Sequence, residues 1–108
     1  MTLAPRKATQ TQKATASRRF VFVLLDKFTM ISFAGAIEPL RIANRVSGET
    51  LYTWRLCGEG TEKSCSNGAT FRLDMGLEEM DREDTILVCG GLDVQRTTTK
   101  GVLSWLRR

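Results

Sequence analysis

The sequence contains no histidine, and that absence removes two chemistries at once. Neither a histidine-ligated zinc site nor a cysteine–histidine nucleophile pair can be built from these 108 residues. Cysteine is scarce as well. Cys57, Cys65 and Cys89 are an odd set without Cys-x-x-Cys spacing, so no metal or other cofactor is expected, and the thiols are read as reduced in a cytoplasmic compartment. Long apolar runs are missing: the longest, Phe20 to Leu25, falls far short of the ~20 residues that span a bilayer. The N-terminus has no apolar core of a secretory signal. Acid is absent from the first 19 residues, which hold Arg6, Lys7, Lys13, Arg18 and Arg19; the remainder holds eleven bases against twelve acids. The net charge of +4 therefore belongs to the tail, and a basic nucleic-acid-binding face on the folded part is not expected.

What is present reads as one small domain behind a tail. Residues 1–18, with no large apolar residue after Leu3, cannot bury enough surface to offset ordering entropy and are read as a disordered basic tail. Their acid-free, Thr- and Ala-rich composition also resembles an organellar transit peptide, and a solvated tail is the plainer reading. Phe20–Leu25 is apolar at every position, as in an interior strand of a parallel sheet. Residues 30–46 read as a helix with Phe33, Ile37 and Leu40 on one stripe, Thr29 or Ser32 at its start and Ser47-Gly48 at its end. Pro39 predicts a kink or a break there. Tyr52–Cys57 alternates, Tyr52, Trp54 and Leu56 facing one way and Thr53, Arg55 and Cys57 the other, which suits a sheet edge. Residues 58–69 predict a loop or hairpin with its sharpest turn at Asn67-Gly68, and 69–73 a short strand. Thr85–Cys89 reads as a second interior strand, ended by Gly90-Gly91. Thr99 opens a helix with Val102, Leu103 and Leu106 on one face. The fold class is α/β, a doubly wound and mostly parallel sheet, incomplete within these residues.

Three segments together carry a resemblance: Phe33 to Arg45 with its Glu38-Pro39-Leu40-Arg41-x-Ala43-Asn44 run, Leu51 to Arg55, and Val88-Cys89-Gly90-Gly91. They resemble the AraC-type regulators whose N-terminal domain is similar to PfpI-type proteases and class I glutamine amidotransferases. The resemblance implies that residues 19–108 are the first part of a flavodoxin-like, amidotransferase-like sensor domain. It implies a cytoplasmic homodimer, a small-molecule effector such as an amino acid or a quaternary amine, no membrane, and DNA binding only through a helix-turn-helix region beyond this chain. The competing reading is a fragment of a PfpI-type hydrolase or amidotransferase-like enzyme, which needs a nucleophile elbow and a histidine that these residues do not supply.

The residues with chemical promise gather after the strands. Ligands of open α/β sheets bind beyond the carboxyl ends of the strands, which puts residues 26–31 and 90–93 on one rim. Amides exposed at Gly90-Gly91 suit an oxyanion or a ligand carboxylate, and the alternative is a tight turn requiring positive φ. The stretch Thr29 to Phe33 has no carboxylate where catalytic members of the superfamily carry one, which fits a binding role. The ligand-binding candidates are therefore Gly90, Gly91, Ser32 and Glu38, although the plainer reading of Glu38 is an i,i+3 partner of Arg41. No residue is expected to be catalytic. Cys89 has no base beside it and reads as a small buried hydrophobe. Tyr52 and Trp54 read as core residues ahead of an aromatic cage, and Trp105 as a residue that packs on the sheet or at a dimer face.

Overall fold

Unbroken runs of β-branched and aromatic residues need cover on both faces, and the first strand, β1 (Arg18–Leu24), finds it at the centre of a sheet. The computed structural model describes residues 17–92 and 94–107. The reading of residues 1–16 as disordered lies outside them, and β1 takes in Arg18, the last residue assigned to the tail. After β1 come helix α1 (Met30–Ser47), strands β2 (Tyr52–Cys57), β3 (Glu62–Ser64), β4 (Thr70–Arg72) and β5 (Thr85–Cys89), and the short helices α2 (Val94–Thr97) and α3 (Lys100–Leu106).

The sheet order is β2-β1-β5, and both pairings are parallel. Phe20 lies between Trp54 and Thr85, and Leu24 beside Cys89. The fold is thus α/β with a mostly parallel sheet, and the two apolar segments, Phe20–Leu25 and Thr85–Cys89, lie side by side. Strands β3 and β4 form the antiparallel hairpin expected from Asn67-Gly68, with Gly68 at φ 95°. The bidentate pair of Arg19 with Asp84, at 3.0 and 2.7 Å, clamps the start of β1 to the residue before β5. That hydrogen bonding holds the Asp84 carboxyl below its ordinary range.

Alternation along β1 sends its side chains to two cores. Phe22 and Leu24 join Phe28, Phe33, Cys65, Leu73 and Cys89 beneath α1 and the hairpin. Val21, Val23 and Leu25 join Cys57, Met75, Val102 and Trp105 beneath α3. Trp54 packs in the first of these cores, and Tyr52 meets Phe20 edge to face at 5.7 Å, so both aromatics act as packing residues.

Four expectations are corrected. Helix α1 runs through Pro39 without a break. Gly35, whose carbonyl loses its donor, stands on the exposed side with Pro39, where the carbonyl is open to solvent. Thr29 is the N-cap residue, yet its hydroxyl donates to Ser32 Oγ at 2.8 Å and caps no helix amide. Strand β5 is an edge strand among the described residues, and Val88 is exposed, because β1 takes the central place. Helix α3 buries Val102 and Trp105 and leaves Leu103 and Leu106 outside. The i,i+3 pair reaches the sheet because the Trp105 indole donates to the Glu78 carbonyl at 2.6 Å and turns that side inward.

Candidate functional site

Two chain crossings meet at the carboxyl ends of β1 and β5. Leaving β1, the backbone turns at Lys27, whose φ of 61° is the left-handed region that non-glycine residues visit at a cost of about 1–2 kcal/mol. Several contacts hold it there. The Lys27 amide donates to the Ser64 carbonyl at 3.0 Å, and the Phe28 ring is fully buried against Phe33 and Phe71. Leaving β5, the chain passes through Gly90 and Gly91 directly against this turn. The Leu25 amide donates to the Cys89 carbonyl and the Thr29 amide to the Gly90 carbonyl, both at 3.1 Å.

The two glycines are demanded by crowding. Neither has a positive φ, so the tight-turn alternative is set aside. A Cβ on Gly91 would stand 2.5 Å from the Lys27 carbonyl oxygen, and one on Gly90 2.8 Å from Val94 Cγ2. Among the described residues, no group accepts a hydrogen bond from the Gly90 or Gly91 amide. These amides are the chemistry an anionic group would find at the rim.

Ser32 is brought to the same place. Its hydroxyl is exposed and donates to the Thr29 carbonyl at 3.1 Å, and Thr29 Cγ2 lies 3.5 Å from the Gly91 Cβ position. Glu38 is not brought there. It lies about 9 Å further along α1 at 1.5 Å per residue, and Arg41 Nε donates to its carboxylate at 3.0 and 3.1 Å. That hydrogen bonding holds the Glu38 carboxyl below its ordinary range. Cys89 is buried beneath the glycines, and burial pushes its thiol up to about 11. At neutral pH a thiol so raised is protonated, and Cys89 packs as a small hydrophobe.

Sequence reasoning missed Lys27 as the residue that shapes the rim; a lysine carries no signal for a left-handed conformation. It also missed Glu59, which follows β2. Thr99 donates to its carboxylate at 2.9 Å while accepting from the Val102 amide at 3.2 Å, so Glu59 fixes the start of α3. No group of three or more metal-ligating side chains occurs among the described residues. No described helix is long and apolar enough to cross a membrane.

No family model matches the chain. Curated relatives do. The chain is 41% identical over 87 residues to the HTH-type transcriptional regulator GbdR of Pseudomonas aeruginosa, covering 80% of this chain and 24% of that protein. It is 37% identical over 93 residues to CdhR of the same species, covering 85% and 27%. To GlxA of Rhizobium meliloti it is 35% identical over 80 residues, covering 68% and 23%. The crystal structure of an AraC family transcriptional regulator from Pseudomonas putida superposes with a TM-score of 0.60 at 26% identity, covering 68% of this chain and 47% of that one. This chain is homologous to part of the HTH-type transcriptional regulators. It spans about a quarter of the length of the curated relatives it matches.

Proposed function

We propose that residues 19–108 are the first part of the ligand-sensing domain of an AraC-type transcriptional regulator. The domain is amidotransferase-like and PfpI-like in ancestry and flavodoxin-like in arrangement. It works as a cytoplasmic homodimer whose DNA-binding helix-turn-helix region is a separate segment, and its first strand takes in Arg18. The observation that carries this reading is the rim where Gly90-Gly91 presses on Lys27–Thr29, at the carboxyl ends of two adjacent parallel strands. The relatives supply the class, transcriptional regulators.

In this reading the Gly90 and Gly91 amides receive the anionic end of a small effector, and the Ser32 hydroxyl lies beside them. An amino acid or a quaternary amine bearing a carboxylate meets that chemistry. Effector binding then biases the arrangement of the dimer and so of the DNA-binding segment. Isothermal titration calorimetry of the chain against a panel of amino acids and carboxylated quaternary amines tests it. One member should bind saturably, and Gly91→Ala, which drives a methyl group onto the Lys27 carbonyl, should weaken it at least about tenfold. A panel without any binder, or a Gly91→Ala variant that binds as well as the parent, rejects the rim as the site.

A further inference from the structure

Asn44 and Asn67 are the two asparagines of the sequence, and Asn67 alone is followed by glycine. Glycine leaves the amide after an asparagine unshielded, and that nitrogen can attack the carboxamide before it. The structure sets this pair at the tip of the β3–β4 hairpin, with both residues exposed. Asn44 is the contrast. Its Nδ2 donates to the Tyr52 carbonyl at 2.9 Å, and its Oδ1 accepts from the Leu51 and Tyr52 amides at 2.8 and 3.0 Å. Arg45 follows it inside α1.

The reacting groups at the tip are themselves engaged. The Gly68 amide donates to the Cys65 carbonyl at 2.9 Å. Asn67 Oδ1 accepts from the Ala69 amide at 2.9 Å and from the Cys65 thiol at 2.7 Å. Ring closure requires the Gly68 nitrogen to leave the Cys65 carbonyl and the carboxamide to swing off both donors. The closed turn holds the reaction back, and the open turn releases it.

We propose that Asn67 is a site of spontaneous self-modification, guarded by the closed hairpin, and that its rearranged product loosens the Lys27 turn. The Gly68 nitrogen gives its proton to solvent hydroxide and forms a bond to Asn67 Cγ. The Cγ–Nδ2 bond breaks, and the leaving nitrogen takes a proton from water and departs as ammonia. A five-membered succinimide remains. Water then adds to one of the two ring carbonyls. Opening at Cγ gives aspartate. Opening at the main-chain carbon gives isoaspartate, whose backbone runs through the side chain and is one carbon longer. The steps are substitution and hydrolysis, with no change of oxidation state.

The longer backbone has a consequence beyond the tip. It cannot keep the Cys65 amide on the Ala69 carbonyl, now 2.8 Å, in the same register. Two further bonds tie this segment to the Lys27 turn. The Lys27 amide donates to the Ser64 carbonyl at 3.0 Å, and the Ser66 amide to the Phe28 carbonyl at 2.8 Å. They help to hold Lys27 at φ 61°, and Gly91 is seated against the Lys27 carbonyl. Aspartate keeps the original chain length and an oxygen for the Ala69 amide, so it leaves these bonds in place. The proposal stands on the hairpin alone and does not require that the rim bind an effector.

The test incubates the 108-residue chain at mildly alkaline pH, in buffer and in urea, and then cuts it with trypsin. Peptide 64–72, which carries Asn67, should exchange its amide for an acid by mass and split into two chromatographic forms. Because the reaction follows the open population, it should run at least about tenfold faster in urea than in buffer. The peptide that carries Asn44 should stay unchanged in buffer. A peptide 64–72 that keeps its carboxamide in urea overturns the site, and equal rates in buffer and urea overturn the guarding by the turn. Hydrogen exchange reads the consequence. In the isoaspartate form the Lys27 and Ser66 amides should lose protection while those of β1 keep it, and Asn67→Asp should keep both. An isoaspartate form whose Lys27 amide is as protected as the parent's overturns the link to the rim.

Discussion

The two faces of the sheet are covered in different ways. On one, an 18-residue helix and a hairpin close over a network of edge-to-face rings: Phe33 meets Phe22, Phe28 and Phe71 at centroid distances of 5.5 to 5.8 Å. On the other, a seven-residue helix contributes two buried side chains, Val102 and Trp105, and is located by polar anchors, Thr99 on Glu59 and Trp105 on the Glu78 carbonyl. The first face is held by apolar area and the second by a few directional bonds. Apolar packing fails only with the fold, whereas a short helix on polar anchors opens by itself. The candidate rim is built on the first face, because Phe28 and Phe33 brace the Lys27 turn from below. The contrast therefore assigns rigidity to the site and local mobility to α3.

The largest expected effect strikes the aromatic face. Phe33→Ala removes the ring that touches three others and should destabilise the chain by about 4 kcal/mol, read as the urea midpoint. A loss below about 1 kcal/mol would mean that the ring network is not the brace described here.

How legible this contrast was in the sequence depends on the range of the signal. The period-two alternation of Tyr52–Cys57 and the unbroken run at Phe20–Leu25 gave strand identity, facing and parallel neighbours, because these follow from burial on a pleated surface. The hairpin was legible from Asn67-Gly68 and the end of α1 from Ser47-Gly48, since glycine relieves positive φ at both positions. What stayed hidden depends on contacts distant in sequence. Thr99 to Glu59 spans 40 residues, and Arg19 to Asp84 spans 65. The helical period at 102–106 favoured the wrong apolar partners, because the Trp105 indole bond to Glu78 sets the rotation of α3. At the rim, Gly90-Gly91 was visible as a glycine pair, but the reason for it, the Lys27 carbonyl, was not.

The polar-anchored face should respond next. Trp105→Phe keeps most of the ring and loses the donor to Glu78, with an expected cost of about 2 kcal/mol. Thr99→Ala removes the cap on Val102 and the tie to Glu59, at about 1 kcal/mol. Hydrogen exchange sharpens the comparison: in both variants the Leu103 amide, bonded to the Thr99 carbonyl at 3.0 Å, should lose protection well before the amides of β1. Equal loss in α3 and β1 would show that the two faces open as one unit and would erase the distinction.

The smallest effect separates the faces by pH. Cys89 lies on the aromatic face and Cys57 on the other, and both thiols are pushed up to about 11. Burial alone raises Cys89. Burial also leads for Cys57, with the Glu78 carboxylate adding to it and Arg55 opposing. An unfolded thiol titrates near 8.5, so between roughly 8.5 and 11 the native chain keeps protons that the unfolded chain has lost. Stability is then full below about 8.5 and falls as pH rises through that window. Melting temperatures from pH 7 to 11 should decline for the parent and decline less for Cys89→Ala and for Cys57→Ala. Added salt screens the charge on Glu78 and leaves desolvation untouched, so it should shrink the Cys57 contribution while that of Cys89 persists. If both variants keep the parent's alkaline slope, the thiols are not the buried protonated groups that the two cores require.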